Sequence, residues 1–257
     1  MKDLLVIIPV HKIDREVEPL LSRAINSVPE NVDILISTNL NKADFVDVVN
    51  IERVEFVQTQ ESDFQSLVNY AVDNCGKQYK WFSILEYDDE YTSIWLPNFE
   101  KYLQFKPEVS VFIPMNDIVD FESNQYVGFG NEAPWASSFS SEIGYVDNEC
   151  LQNYFDFYLT GAIFNIEDWK EVGGLKPSMK LTFWYELMLR WTNKDKKFYV
   201  IPKIGYKHYV NRPDSLYESY RNAMLETESA WWFETARQEC FYKKDRNKTY
   251  NESTKGE

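Results

Sequence analysis

The stretch LLVIIPV, residues 4–10, is an uninterrupted apolar run rich in β-branched side chains. A strand that is covered on both faces shows no alternation of apolar and polar residues, so this run predicts a central strand of a parallel sheet. Residues 16–28 follow with apolar side chains at spacings of three and four, which predicts an amphipathic helix. The opening of the chain therefore predicts the first strand and helix of an α/β fold.

The alternation of strand and helix continues to residue 85. Apolar runs predict strands at residues 32–36, 54–57 and 81–85, and helical spacing predicts helices at residues 43–50 and 64–75. Ser62 or Asp63 is the predicted N-cap of the second of these helices. Short connections between alternating strands and helices favour a parallel sheet with right-handed crossovers.

The pattern is less regular beyond residue 90. We predict, in chain order, a helix from Pro97 to about Phe105, strands at residues 109–114 and 160–166, helices at 167–172 and 182–191, a strand at 198–201 and helical structure from residue 215. Residues 117–149 show no clear period, and we expect either a long active-site loop or a short hairpin there.

Composition and charge argue against several classes of protein. The net charge of −14 disfavours nucleic acid as the main ligand, because binding a phosphate backbone requires clustered Lys and Arg side chains. Cys75, Cys150 and Cys240 lie far apart without a CxxC pair, so neither a zinc knuckle nor a disulfide framework is expected. The first apolar run is too short for a signal sequence or a membrane span. We therefore expect a cytoplasmic protein.

An acidic cluster follows the predicted strand at residues 81–85. The sequence EYDDE, residues 86–90, contains four carboxylates in five residues. Ligands of open parallel sheets bind at the carboxyl ends of the strands, and carboxylates crowded there raise one another's pKa unless a cation is near. A hard divalent cation such as Mn²⁺ or Mg²⁺ would relieve the repulsion. The residues alone leave a second interpretation open, a solvated turn ahead of Ser93.

No other catalytic motif competes with this cluster. The sequence has no glycine-rich phosphate loop, no GxGxxG after the first strand and no GxSxG, and its two histidines are His11 and His208. These absences argue against a Rossmann dehydrogenase and against a hydrolase with a Ser-His-Asp triad.

A series of motifs in chain order suggests a family. The motifs are VIIPVH at residues 6–11, the helix at 64–75 with Asn69, WFSILEYDDEY at 81–91, TGAIFNIEDWKEVGGL at 160–175, LMLR at 187–190 and KHYVNRPDS at 207–215. Over about residues 4–215 the chain resembles a nucleotide-sugar glycosyltransferase of the GT-A fold, family-2 type. The resemblance implies a Rossmann-like, mostly parallel central sheet flanked by helices. It further implies a domain at residues 1–215, with a nucleotide-binding half at 1–92 and an acceptor half at 93–215, and a C-terminal helix and tail at 216–257.

The resemblance also implies roles for individual residues. Metal ligands for Mn²⁺ or Mg²⁺ are expected at Asp88, Asp89 and His208, and Glu86 is expected near the ribose or the water shell of the metal. The implied nucleotide contacts are Pro9, Val10, His11, Thr38, Asn39 and Asn69, with Arg212 and Ser215 at the phosphates. A UDP-sugar is the implied donor, and the acceptor is unknown. Without the resemblance, a surface histidine at a strand end is the preferred interpretation of His208.

The expected catalytic helix departs from the family pattern. Members of the family usually open this helix with Glu-Asp, the Asp being the general base, whereas this chain has TFWYEL at residues 182–187. Glu186 is the nearest carboxylate. It is either the base in a shifted register or a structural partner of Arg190 at i,i+4.

Two functions follow from these patterns. The first is a metal-dependent glycosyltransferase that moves a sugar from a nucleotide-sugar to an acceptor hydroxyl. The second is a degenerate binding module that keeps the fold and has lost the base, as the missing Glu-Asp suggests. A nucleotidyltransferase is disfavoured, because its basic glycine-rich signature is absent near the N-terminus.

Overall fold

Ten strands form one mixed sheet in the computed structural model, which describes residues 2–46, 53–136, 142–148, 150–154, 156–213 and 215–228. The strands are β1 Leu4–Val10, β2 Asp33–Thr38, β3 Val54–Gln58, β4 Trp81–Ile84, β5 Glu90–Tyr91, β6 Val111–Asp120, β7 Tyr126–Gly130, β8 Tyr145–Val146, β9 Ile163–Asn165 and β10 Phe198–Val210. The helices are α1 Val17–Ser27, α2 Phe64–Asn74, α3 Trp95–Phe105, α4 Cys150–Asn153, α5 Ile166–Val172, α6 Phe183–Thr192 and α7 Leu216–Thr227.

The N-terminal half of the sheet is parallel, as the sequence predicts. Its strands run in the order β3-β2-β1-β4, and each neighbouring pair is parallel. Every residue of β1 is buried, which explains why LLVIIPV shows no polar alternation. The predicted N-cap Asp63 is confirmed, because its side chain accepts a hydrogen bond from the backbone N–H of Ser66. Of the predicted helix at residues 43–50, the described part is a 3₁₀ helix, Lys42–Phe45, and residues 47–50 lie outside the described ranges.

The other half of the sheet is mostly antiparallel, so the sheet as a whole is mixed. β9 lies between β4 and β6 and is antiparallel to both, and the order continues β6-β10-β5. β6 and β10 are parallel, whereas β5 and β8 pair with β10 in the antiparallel sense. The first part of the irregular segment 117–149 is a hairpin of β6 and β7.

β10 continues far beyond the predicted end at residue 201. Its register with β6 shifts between Ile201 and Ile204 and again between Ile204 and Tyr206, and pairing then continues to Val210. These irregularities break the apolar run, so the pattern alone ended the strand too early. The extension pairs Tyr206 and Lys207 with β5, which begins at Glu90, the last residue of the acidic cluster.

Helices cover both faces of the sheet. One buried cluster includes residues of α2, α5 and α6, and the other includes residues of α1 and α3. Stacked and edge-to-face aromatic pairs link β4, β9 and α5 in the first cluster, with Phe82 beside Phe164 and Trp169. None of the helices in the described ranges is long and apolar enough to cross a bilayer. The predicted helical structure after residue 215 is α7, and residues 229–257 lie outside the described ranges.

Candidate functional site

The acidic cluster forms a tight turn between β4 and β5. The backbone N–H of Asp89 donates to the carbonyl of Glu86 at 3.1 Å, and the N–H of Glu86 donates to the hydroxyl of Tyr206 at 3.1 Å. β1 and β4 are parallel, so the turn lies at the carboxyl-terminal edge where ligands of such sheets bind. The structure thus places the acidic turn, residues 86–90, where the sequence predicts it and against the end of β10.

Arg212, just beyond β10, pairs with Asp88. Its Nε donates to Asp88 Oδ2 at 2.7 Å and its second terminal nitrogen donates to the Tyr87 hydroxyl at 3.0 Å. Burial, followed by the charge of Asp89, raises the pKa of Asp88, while Arg212 acts in the opposite direction. Arg212 therefore supplies part of the positive charge that this turn requires.

Asp89 holds His208 in place. The Asp89 side chain is 1% exposed, and its oxygens accept hydrogen bonds from the backbone N–H of Tyr209 and from Nδ1 of His208, each at 2.8 Å. Burial by itself would lower the pKa of His208, but the charge and hydrogen bond of Asp89, with further effects of Glu86 and Asp88, raise it to about 9. His208 is thus a protonated partner of Asp89 at neutral pH, and its Nε2–H can donate a hydrogen bond to an anionic ligand.

Glu86 is a half-buried carboxyl group surrounded by like charges. Burial first, and then the charges of Asp89 and Asp88, raise its pKa to about 8. At neutral pH this group is mainly protonated unless a further cation is close. The pKa of Glu86 therefore indicates that the acidic turn is short of positive charge.

The predicted nucleotide contacts at the ends of β1 and β2 lie along the same edge of the sheet. Pro9 and Val10 pair in register with Ser37 and Thr38, whose hydroxyl accepts a hydrogen bond from the N–H of Leu40 at 3.0 Å. Asn39 follows, and its buried Oδ1 has no hydrogen-bond partner within the described ranges. An unpartnered buried oxygen is costly and suits an N–H donor of a ligand.

His11 links this edge to the acidic turn. Its ring centroid lies 6.0 Å from that of Tyr87. Burial, followed by the charges of Lys12 and Arg212, lowers the pKa of His11, so the imidazole is neutral at neutral pH. His11, Tyr87 and Arg212 are thus brought together although they are remote in sequence.

Two other predicted contacts are engaged in backbone interactions. The Asn69 amide donates to the carbonyl of Leu175 at 2.7 Å and its oxygen accepts from the N–H of Leu175 at 2.9 Å. These two bonds join α2 to the loop after α5 and give Asn69 a structural role, so that both polar groups of its side chain are engaged away from the nucleotide. The N–H of Ser215 donates to the carbonyl of Arg212 at 3.3 Å, which places Ser215 in the turn that follows the arginine.

Glu186 lies within α6, where two cations contact its carboxylate. Nε and a terminal nitrogen of Arg190 donate to Oε1 and Oε2 at 2.8 and 2.9 Å, and Nζ of Lys176 lies 3.0 Å from Oε1. The Glu186 side chain is 1% exposed. These contacts are the ones expected of the structural role that the sequence left open.

Arg23 of α1 is a site residue that the sequence does not reveal. A terminal nitrogen donates to the Asp88 carbonyl at 2.7 Å, and Nε lies 3.3 Å from a Glu90 oxygen. Its guanidinium carbon stands 4.3 Å from the ring centroid of Tyr209. No pattern separates Arg23 from an ordinary arginine on the surface of a helix, because its role depends on how α1 packs against the turn.

The side chains of the acidic turn can be compared with those of known divalent-cation sites. Within the described residues, no three His, Cys, Asp or Glu side chains form a group that could by itself hold a metal ion. Mg²⁺ sites in nucleotide-binding proteins commonly use one or two carboxylates and complete the shell with phosphate oxygens and water. Glu86 and Asp88, both with raised pKa values, are a suitable pair for such a cation. The residues present therefore fit a metal ion whose shell a phosphate ligand completes.

Comparison with known proteins places the fold. No family model and no curated protein matches the chain. Among solved structures, the chain is similar to S. aureus TarS 1–349 in complex with UDP-GlcNAc, with 14% identity, a TM-score of 0.62, and 85% of this chain and 61% of that one covered. The complex of TarS 1–349 with UDP gives 12% identity, a TM-score of 0.58, and 82% and 61% coverage. S. aureus TarS gives 14% identity and a TM-score of 0.58, with 88% and 39% coverage.

These similarities concern the fold. The chain spans less than two thirds of each of these TarS structures. A ten-stranded α/β sheet flanked by helices and shared over more than four fifths of this chain confirms the predicted GT-A-like fold class.

Proposed function

We propose that the protein is a glycosyltransferase that moves a sugar, a hexose or pentose, from a UDP-sugar to an acceptor hydroxyl. The observation that carries the proposal is the acidic turn, which His208 at the end of β10 and Arg212 just beyond it contact. The turn lies at the ligand-binding edge of a fold shared with a protein crystallised with UDP-GlcNAc and with UDP.

The nucleotide would lie along the ends of β1 and β2. In this proposal the unpartnered Oδ1 of Asn39 accepts a hydrogen bond from an N–H of the base, and Thr38 lines the same end of β2. Pro9 and Val10 provide the backbone wall. His11, neutral and next to Tyr87, contacts the nucleotide between base and diphosphate.

The diphosphate would lie against the acidic turn. Asp88 and Glu86 would hold a divalent cation, and Nε2–H of the protonated His208 would donate a hydrogen bond to a phosphate oxygen. When bound, Mn²⁺ or Mg²⁺ supplies positive charge that stabilises the leaving diphosphate. Asp89 orients His208 through Nδ1 and keeps its ring protonated, so that the imidazolium adds positive charge beside the diphosphate. Arg212 and Ser215 would contact the phosphate oxygens from the turn after β10.

Turnover of UDP-sugars tests the proposal. We expect wild-type protein to release UDP from at least one UDP-sugar in the presence of Mn²⁺ and to lose this activity in EDTA. Asp88→Asn should abolish the stimulation by Mn²⁺ without loss of the folded state. Asp73→Asn on the exposed face of α2 is the matched control and should behave as wild type. Unchanged metal stimulation in Asp88→Asn would contradict the assignment of the metal site.

A specific observation supports the second candidate, a binding module without transferase activity. The first positions of α6 are Phe183 and Trp184, and the nearest carboxylate, Glu186, is matched by Arg190 and Lys176. A degenerate module would bind UDP and a UDP-sugar and would release no UDP with Mn²⁺ and any acceptor tested. Measurable turnover excludes it.

A further inference from the structure

Two buried polar side chains beside the acidic turn have no hydrogen-bond partner within the described ranges. Asn116 on β6 is 0% exposed, and neither its Oδ1 nor its Nδ2 is bonded. Thr160, in the loop before β9, is 4% exposed, and its hydroxyl is likewise unbonded. Buried polar groups in folded proteins are nearly always paired, so three unpaired atoms close to a candidate site point to a ligand.

Both residues lie beside Tyr206. Asn116 is the register partner of Tyr206 in the pairing of β6 with β10. Thr160 precedes Gly161, which has a positive φ of 75° and packs so closely on the Tyr206 ring that a Cβ there would overlap it. The Tyr206 hydroxyl in turn accepts from the N–H of Glu86. The two unpaired side chains are therefore separated from the acidic turn by a single aromatic residue.

Tyr158 and His208 form the next wall of this region. A Cβ on Gly130 would stand 2.9 Å from the Tyr158 ring and 3.5 Å from the Cβ of Asn116, so Tyr158 and Asn116 converge on the same face of β7. The Tyr158 ring centroid lies 5.4 Å from that of His208. Asn116 therefore faces the same side of the sheet as His208, which we propose lies near the diphosphate.

Asn131 provides an internal comparison. It is also 0% exposed, but its amide donates to the carbonyls of Pro114 and Tyr158, and its oxygen accepts from the N–H of Tyr158. All of these bonds serve to hold the segment before Thr160 against β6. The chain thus pairs a buried asparagine fully where it has a structural role and leaves Asn116 unpaired, although Asn116 is the register partner of Gly130, the residue before Asn131.

We propose that Asn116 and Thr160 bind hydroxyl or amide groups of the sugar carried by the donor, and so contribute to the choice of that sugar. This inference rests on the proposed function. A carboxamide both donates and accepts hydrogen bonds, and so does a hydroxyl, which matches the groups on a sugar ring. A sugar attached to a diphosphate at the acidic turn has to lie close to the turn, and Asn116 and Thr160 are linked to the turn through Tyr206, whose hydroxyl contacts Glu86.

Stability separates this role from a structural one. Leu has nearly the shape of Asn, and Val that of Thr, so Asn116→Leu and Thr160→Val remove the polar groups with little change in packing. Removing unpaired buried groups costs no hydrogen bond, and we expect melting temperatures equal to or above that of the wild type. Thr192→Val is the matched control and should lower the melting temperature, because the buried Thr192 hydroxyl donates to Asn148 Oδ1 at 2.9 Å.

Affinities for UDP and for UDP-sugars then test whether the two side chains contact the sugar. Calorimetry with UDP and with UDP-glucose, UDP-galactose and UDP-GlcNAc, in Mn²⁺, identifies the sugar that wild-type protein binds more tightly than UDP. Asn116→Leu and Thr160→Val should bind UDP as the wild type does, and should bind that UDP-sugar about 10- to 100-fold more weakly.

Each of the following results of the binding experiment overturns either the inference or the proposed function. Unchanged affinity for the UDP-sugar in both variants overturns the inference and leaves the proposed function intact, and this is the result expected if a buried water pairs these atoms. A wild type whose affinity for every UDP-sugar equals that for UDP also overturns it, because the sugar then has no subsite. A wild type that binds neither UDP nor any UDP-sugar overturns the proposed function, and the inference falls with it.

Discussion

Glu186 is a buried carboxylate whose negative charge is matched by two cations. Arg190 contacts both of its oxygens and also donates to the carbonyls of Val172, Gly173 and Gly174. Arg190 thereby ties α6 to the loop after α5, and Glu186 keeps the guanidinium in position. Removing one partner of a buried ion pair leaves the other without compensation, which is the costly change in such pairs.

We predict that Glu186→Gln lowers the free energy of unfolding by about 3 kcal/mol. The rate of transfer per folded molecule should stay close to that of the wild type. Urea unfolding and turnover of a UDP-sugar measure the two effects, and Glu61→Gln at an exposed position is the control. A Glu186→Gln variant of normal stability that has lost transfer but still binds nucleotide would instead identify Glu186 as the general base.

The His208–Asp89 pair predicts a dependence of stability on pH in metal-free protein. The pKa of His208 is about 9 in the folded state, against an ordinary 6.5 in the unfolded chain. The folded state therefore binds the proton more tightly, and the resulting stability is fully present below pH 6.5 and is lost as the pH rises through about 9. The stability difference between wild type and His208→Gln, measured in EDTA, should shrink over this window. A difference that is constant with pH would show that the His208 pKa is not raised.

At the scale of elements, the N-terminus of α6 is capped by a residue that is remote in sequence. The buried carboxylate of Glu228 accepts hydrogen bonds from the backbone N–H groups of Lys180 at 2.8 Å and Thr182 at 2.9 Å, and also from that of Leu181. The positive end of the helix dipole favours a carboxylate at this position. The sequence predicts α6 from its apolar spacing but offers no sign of this cap, since Glu228 comes after α7.

We predict that Glu228→Gln lowers the free energy of unfolding by about 1–2 kcal/mol, because a neutral amide interacts less strongly with the helix dipole and accepts through one oxygen. Thermal unfolding of this variant should be compared with Glu100→Gln, an exposed change on α3. Equal melting temperatures of the two variants would rule out a stabilising cap.

The hydrogen bonds of Asn69 join two other elements, α2 and the loop after α5. Asn69→Ala removes two hydrogen bonds to Leu175 and should cost about 2 kcal/mol of unfolding free energy. Affinity for UDP should be unchanged at a temperature where the variant is folded. Asn74→Ala, an exposed change on the same helix, is the control. Loss of UDP affinity at full stability would return Asn69 to the nucleotide site, as the family resemblance implies.

At the scale of the whole molecule, the chain has a net charge of −14, and four of its 41 acidic side chains lie in the acidic turn. A diphosphate adds further negative charge, so we expect UDP to bind well only together with a divalent cation. Thermal shift with UDP and Mn²⁺ together should exceed the sum of the shifts with either alone, and EDTA should reverse it. At a hundredfold excess over the dissociation constant, ligand binding adds about 2.7 kcal/mol of stability. A shift with UDP that is the same in EDTA would argue against a shared metal site.

The sequence predicts the parallel half of the sheet because each of its elements has a local signal. β1 is a continuous apolar run, α1 and α2 show helical spacing, and Asp63 precedes α2 as a cap. In the other half, apolar runs predict β6, β9 and β10, although with different bounds. β5 and β8 are two residues long, too short for a period, and they form where β10 offers them an edge.

The parallel sense of the first strands and the position of the acidic turn were determined by the sequence alone, because parallel strands joined by helices bring their carboxyl ends to one edge. Only the tertiary structure decided which charges meet there. Whether Asp89 contacts His208, or Arg23 reaches Asp88, depends on how β10 bends and how α1 packs, over separations of 119 and 65 residues. The unpaired state of Asn116 is likewise a property of packing, since a side chain has a hydrogen-bond partner or lacks one only once its neighbours are in place.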